Sequence, residues 1–321
     1  MILNKKNLKK IKGDASFRIF FRKKNKLKNS IIVYAERKKK KNLLIYDSIN
    51  KIFIKNKILA PKLFHENYRE NYIEIEDFGN KTIFNVLNKK KINKLKLFKK
   101  IISLLVKVQK IKNYKIKNFQ KKNYNVPVYS KSLLFKEASL FLNWYVPNII
   151  PKNKVSNTNK ELKKIIMILL SKIRLTNNTF VHRDFHISNL MPYKNKIAII
   201  DSQDALIGNR AYDLASLIDD VRFKTSNELK KLIFKHYLNL NKNKFNHDYF
   251  KNDFEILSVL RNLKIIGIFT RLASRDKKKK YLKLIPYTWK LIEMRLKNDS
   301  KFKDLKNCLE KNFPNKIRIK K

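Results

Sequence analysis

The chain predicts an α+β fold of two lobes, a small antiparallel β lobe followed by a larger and mainly helical one, and three observations carry the prediction. Apolar residues alternate over residues 17–22, 30–34 and 72–76 but recur at helical spacing in most segments beyond Thr82. A content of 43% hydrophobic and 12% aromatic residues gives a chain of 321 residues enough material for a core. The segment IEIEDFGNKT, ending at Thr82, separates the two patterns. It places the lobe boundary after Phe78, with lobes 1–78 and 79–321.

In the first lobe, the strands over 17–22 and 30–34 flank the polar turn KKNKLKN, and the strand over 72–76 follows Pro61 and a charged patch. Between them, Leu43, Leu44, Tyr46, Ile49, Phe53 and Ile54 have the spacing of one amphipathic helix over 42–58, which would lie against the sheet. In the second lobe, helices are expected over 95–108, 133–145, 160–173, 212–223, 226–238, 253–272 and 281–296. Two apolar stretches there, 179–181 and 196–200, are too short for helices and read as strands bracketing a loop.

The formal charge is +52, from 77 Lys and Arg against 25 Asp and Glu. The lysines are scattered through every segment rather than clustered on one, so affinity for nucleic acid is expected to be incidental and confined to low salt. The single cysteine, Cys308, excludes an internal disulfide framework and a cysteine-based zinc site. The N-terminal segment MILNKKNLKKIKGD has no apolar core, and no stretch reaches the roughly 18 apolar residues of a membrane span. A cytoplasmic location is the default expectation.

The bracketed loop carries the chemistry. His182, Arg183 and Asp184 are followed by Asn189 five residues beyond the aspartate, and by Asp201 after the next short strand. Phosphoryl transfer from ATP needs a carboxylate to receive the acceptor hydroxyl proton, and hard oxygen ligands to hold Mg²⁺ across the phosphates. Asp184 is the candidate base; Asn189 and Asp201 are the candidate metal ligands. His182 and His186 are four apart, as in half a zinc helix motif, but they sit in a loop without a third ligand. His182 reads as a packing residue of that loop, and Arg183 as a salt-bridge partner.

With those residues in view, VHRDFHISNL at 181–190 and IIDSQDALIGNRAYDLASL at 199–217 resemble the catalytic and metal-binding segments of the aminoglycoside phosphotransferase and choline kinase superfamily, protein-kinase-like enzymes acting on small molecules. GDASFRIFFR at 13–22, EDFGNKTIFNVL at 76–87, EASLFLNWYV at 137–146 and the stretch 261–286 further resemble bacterial N-acetylmuramate/N-acetylglucosamine anomeric kinases. The resemblance implies a protein-kinase-like fold with a nucleotide-binding first lobe. It also implies ATP and Mg²⁺ as cofactors, and an amino sugar phosphorylated at its C1 hydroxyl in cell-wall sugar recycling. Asp213 matches a family position that braces the catalytic loop, and it could equally cap a helix.

The nucleotide site departs from protein kinases. Gly13 and Ser16 sit in a turn whose backbone N–H groups could cradle phosphates. The strand that should carry a phosphate-gripping lysine reads SIIVYAER and has none, so Arg18 or Arg22 on the preceding strand is the substitute, with the choice open. Main-chain groups near Glu76 and Phe78 are expected to meet adenine, by family geometry. DSQD at 201–204 replaces Asp-Phe-Gly, which keeps the metal ligand but loses the Phe packing used in protein-kinase activation. Asp204 is a candidate contact to sugar or metal, or a turn cap. Glu137 is the better candidate than Trp144 for holding a sugar. The alternatives are a kinase for an aminoglycoside or amino alcohol, and a catalytically silent protein whose basic surface engages RNA or lipid.

Overall fold

The structure is a computed structural model that describes residues 8–11, 17–24, 28–89, 92–297 and 299–318. The chain forms two compact units, one of residues 1–127 with 179–207, the other of 128–178 with 208–321. The boundary after Phe78 marks a change of secondary structure, whereas compactness follows packing. The segment 179–207 joins the sheet-bearing unit because Ile199 N–H donates to Leu59 O at 2.8 Å and Phe180 packs on Phe53.

The first unit is built on five antiparallel strands, β1 (Leu8–Ile11), β2 (Ile19–Lys23), β3 (Ser30–Tyr34), β4 (Leu63–Asn67) and β5 (Tyr72–Glu76), in the order β1-β2-β3-β5-β4. The short strands β1 and β4, which simple alternation does not reveal, are the two edges. Central β3, SIIVY, is buried at four of its five residues, as its apolar run requires. Helix α1 (Lys41–Lys55) sets Leu43 and Tyr46 against Ile31, Val33, Ala35, Ile73 and Ile75. It stops at Lys55, three residues short of the apolar pattern, and Lys57 turns the chain at φ 57°.

Helix α2 (Ile83–Lys89) and helix α3 (Lys94–Gln109) follow, the latter capped by the Asn93 side chain on Lys96 N–H. Phe98, Ile101, Ile102, Leu105 and Val108 make its buried stripe, at the spacing of one helix face. A small hairpin, β6 (Lys115–Lys117) with β7 (Asn123–Asn125), comes next. The remaining strands are β8 (Thr179–Val181), β9 (Leu190–Tyr193), β10 (Lys196–Ile199) and β11 (Leu206–Gly208). Strand β10 pairs antiparallel with β9, and β8 pairs with β11, so the loop between β8 and β9 leaves one two-stranded sheet and enters the other.

The second unit is helical: α4 (Lys131–Leu140), α5 (Val146–Ile149), α6 (Lys152–Ser171), α7 (Ala211–Ile218), α8 (Asn227–Asn239), α9 (His247–Ser274), α10 (Ile285–Leu296), α11 (Lys303–Asn312) and α12 (Asn315–Arg318). Between α4 and α5 the helix widens to π geometry over Phe141–Tyr145. Helix α9 is longer than its apolar pattern suggested, is buried on nearly every side, and packs against α4, α7 and α10. Gly267 lets α4 approach it: a Cβ there would stand 2.2 Å from the Leu140 carbonyl carbon. Phe141, Tyr145, Trp289 and Phe313 form an aromatic cluster, and Trp289 Nε1 donates to the Tyr145 hydroxyl at 3.2 Å.

Asp219, just past α7, is fully enclosed and paired to Lys230 at 2.6 Å and Arg295 at 2.8 Å, with the Ser258 hydroxyl donating at 2.5 Å. Burial pushes its carboxyl up, but Arg295, Lys230 and Ser258 together outweigh that and bring it down to about 2. Burial also pulls the Lys230 ammonium down, against the attraction of Asp219. Cys308 is buried, which pushes its thiol up to about 12 and leaves it unreactive.

Because the chain has only four glycines, left-handed positions fall to other residues. Among them are Lys57, Lys121, Lys194 and Lys277, all exposed, together with Asn71, Asn195 and Asn243. Among the described residues no helix is long and apolar enough to cross a membrane.

Candidate active site

The β8–β9 loop and the segment after β10 converge within the first unit. Ile200 N–H donates to Asn189 O at 3.0 Å, and His186 and Asn189 N–H donate to Asp184 O and His186 O, both at 2.9 Å. The Asn189 amide nitrogen donates to Asp184 O at 3.1 Å. Two residues here hold left-handed backbone without being glycine: Arg183 at φ 73° and Asp201 at φ 64°. Such strain persists only where surrounding bonds over-determine it, and it collects at functional segments.

His182 is completely buried, stacked on Phe53 with an interplanar angle of 7°, and its Nε2 lies 3.2 Å from Ile200 O. Burial holds its pKa below the ordinary value, against the pull of Asp184 and Asp201, so it is a neutral ring that packs and orients the loop. Arg183 Nη1 donates to Asp204 O at 3.1 Å and lies 3.8 Å from its carboxylate. Asp204 also accepts from Gln203 Nε2 at 2.6 Å, which fixes it as part of a turn.

The two arginines part company. Arg18, 5% exposed, puts Nη2 2.5 Å from Asp201 Oδ1 and donates Nη1 to Gln203 Oε1 at 2.7 Å, with its guanidinium 5.3 Å from the ring centroid of Tyr46. Arg22 is spent on the segment leaving the sheet: it pairs with Asp77 through both nitrogens at 2.5 and 3.0 Å, donates to Gly79 O at 2.9 Å and bonds the Asn80 side chain. Its geometry is that of a tether between β2 and residues 77–80. Glu76, at the end of β5, pairs with Lys28 at 2.8 Å. Phe78 packs edge-on to Tyr193, with Met191, Ala198, Leu59 and Ile200 around it. That is an apolar bed beside main-chain groups.

Ser16 lies outside the described residues. Two other candidates belong to the second unit. Glu137 is buried, paired to Lys264 at 2.8 Å and bonded to the Tyr129 hydroxyl, so its carboxylate is engaged in holding α4 to α9. Asp213 is fully buried in the first turn of α7.

Sequence reading missed Tyr46 and Asn50. Burial raises the Tyr46 hydroxyl to about 12, and its ring lies 5.3 Å from the Arg18 guanidinium. Asn50 Oδ1 accepts from Ser202 Oγ at 2.6 Å. A polar Asn one turn after Tyr46, on the apolar face of an amphipathic helix, was the available signal.

Among the described residues no group of three or more His, Cys, Asp and Glu is placed to hold a metal. The donor set on offer, one carboxylate at Asp201 and one amide oxygen at Asn189, is all oxygen and incomplete without further oxygens from a substrate. That is the habit of Mg²⁺, which is usually held by one or two carboxylates plus phosphates.

A small antiparallel sheet, a mostly helical remainder and this loop define a two-lobed, protein-kinase-like phosphotransferase acting on a hydroxyl group. The family model described as the phosphotransferase enzyme family, APH, matches residues 7–248, and the chain belongs to that family. It is a small-molecule kinase.

Among curated relatives it is similar to the N-acetylmuramate/N-acetylglucosamine kinase of Neisseria meningitidis serogroup B, 26% identical over 85% of this chain and 81% of the relative. A protein of the same name from Pseudomonas aeruginosa is 25% identical over 73% of this chain and 68% of its own length. Among solved structures it is similar to APH(2'')-IIa in complex with gentamicin, with a TM-score of 0.63 at 13% identity over 92% of this chain and 93% of the other. The amicoumacin kinase hAmiN, in complex with AMP-PNP, Ca²⁺ and Ami, gives a TM-score of 0.61 at 13% identity over 90% and 88%.

Proposed function

We propose that the protein transfers the γ-phosphate of ATP to the anomeric C1 hydroxyl of N-acetylmuramate or N-acetylglucosamine, in the recycling of cell-wall sugars in the cytoplasm. The observation that carries the chemistry is the gathering of Asp184, Asn189 and Asp201 on one hydrogen-bonded loop pair. The sugar rests on the likeness to relatives of that name over most of their length.

Asp184 receives the proton of the attacking hydroxyl as the oxygen bonds to the γ-phosphorus and ADP leaves. Asn189 and Asp201 are the residues that would hold Mg²⁺, which when bound neutralises charge on the phosphates. Arg18 takes the place of the missing lysine, its planar fork suited to phosphate oxygens. The bed around Phe78 and the main chain at Glu76 receive adenine. Asp204 and Glu137 serve as a turn anchor and a helix tie, with Asp213 a structural acid of α7.

Arg18→Ala is expected to raise the KM for ATP at least about tenfold, the cost of losing one or two charge-assisted bonds. Arg22→Ala is expected to lower the melting temperature and leave that KM unchanged. Steady-state kinetics beside thermal melts separate the two, and the reverse pattern would move the phosphate grip to Arg22.

The acceptor is tested by incubating the protein with ATP and a panel of N-acetylmuramate, N-acetylglucosamine, an aminoglycoside and ethanolamine, and by identifying the phosphorylated product. Sugar 1-phosphate is the expected product. Phosphate on the aminoglycoside or on ethanolamine alone would redirect the substrate within the family. RNA binding at physiological salt without any ATP consumption would end the enzyme reading.

A further inference from the structure

The protein-kinase link between helix and phosphate grip, a lysine–glutamate pair, has no counterpart among the described residues of this first unit, yet the helix in that place meets the segments around Asp184 and Asp201 through three of its residues. Tyr46, Asn50 and Phe53 lie on one stripe of α1 at i, i+4 and i+7. Tyr46 sets its ring 5.3 Å from the guanidinium of Arg18, which in turn pairs with Asp201. Asn50 accepts from Ser202 at 2.6 Å, both residues being buried. Phe53 stacks on His182, two residues before Asp184.

The three residues Asp201, Ser202 and Gln203 are therefore held in succession, the first and third by Arg18 and the second by α1. Asp201 needs such holding because its left-handed backbone would otherwise relax, turning the carboxylate away.

We propose that Asn50, through its hydrogen bond to Ser202, is a positioning residue that sets the Asp201 carboxylate for the metal–nucleotide complex, so that α1 registers the metal-binding segment by a neutral hydrogen bond in place of an ion pair. The inference rests on the kinase reading of Asp201. It assigns a function to the Ser-Gln that stands where protein kinases carry Phe-Gly: Ser202 is the handle by which α1 grips the segment. Because no charge is involved, the link is insensitive to salt.

The test measures Mn²⁺ binding in the presence of AMP-PNP by electron paramagnetic resonance, with the sugar KM measured in parallel, on Asn50→Ala, Ser202→Ala, the double variant and Ser202→Thr. Second-layer partners of metal ligands commonly matter about 10–100-fold in affinity. Each single alanine variant is expected to weaken Mn²⁺ about tenfold and leave the sugar KM unchanged. The double variant is expected to be no worse than either single, and Ser202→Thr, which keeps the hydroxyl, to retain the affinity.

Unchanged Mn²⁺ affinity, additive losses, or a sugar KM that moves with the metal would overturn the proposal. Ser202→Ala removes one oxygen and leaves the helix intact, so it decides the matter if Asn50→Ala fails to fold. Absence of Mn²⁺ binding in the unsubstituted protein would instead overturn the kinase reading itself.

Discussion

Asp184→Asn is expected to reduce turnover by about 10²–10⁴-fold, the usual worth of a positioned general base, while ATP binding and the melting temperature stay as they are. The side chain is nearly isosteric but cannot accept a proton at neutral pH. Asp184 lies on a half-buried loop whose shape is fixed by other atoms: its own carbonyl accepts from His186 N–H and Asn189 Nδ2. Those bonds survive the substitution, so the loss falls on kcat. Rapid-quench measurement of phosphorylated product in a single turnover isolates the chemical step, and a rate within a few-fold of the unsubstituted protein would remove Asp184 from that role.

Asp219→Ala is expected to cost about 3–5 kcal/mol of stability at pH 7, because it strands Lys230 and Arg295 without the carboxylate that justifies their burial. Denaturant unfolding at constant slope measures it. The same group predicts an acid dependence whose sign follows from its lowered pKa. An unfolded carboxyl titrates near 3.9, whereas the folded one titrates at about 2. The pair's contribution is complete above the unfolded value, declines as the pH falls through the interval, and is absent below about 2. Lys230, pulled down by burial, adds to the penalty rather than to the gain, so Asp219 is the member that decides the network.

The helical unit was largely legible because amphipathic periodicity is a property of the chain itself. Its ends were less so: α9 runs on to His247 and Ser274 because its neighbours bury it all round, erasing the contrast that defines an edge. In the sheet, β1 and β4 escaped because an edge strand such as LKKI is mostly exposed and its pattern is dominated by lysine. The spacing of Asp184, Asn189 and Asp201 was readable, since a loop between two short strands must return to one place. The different partners of Arg18 and Arg22 were not. Both lie on or beside β2, and only the distant partners Asp201 and Asp77 distinguish them. The pairing of Glu137 was not readable either, because its partners Lys264 and Tyr129 come from elsewhere in the chain.

The lysines in left-handed turns have a consequence for engineering. An L side chain in that conformation costs roughly 1–2 kcal/mol, and Lys57, Lys121, Lys194 and Lys277 sit there with their side chains in water. Each is a tension that glycine would release, and the releases should add where the turns share no partners. At Arg183 and Asp201 the same exchange would discard the side chain and slacken the loop together. A single backbone conformation thus divides into turns where the molecule can be made more robust and turns where it must stay tense to work.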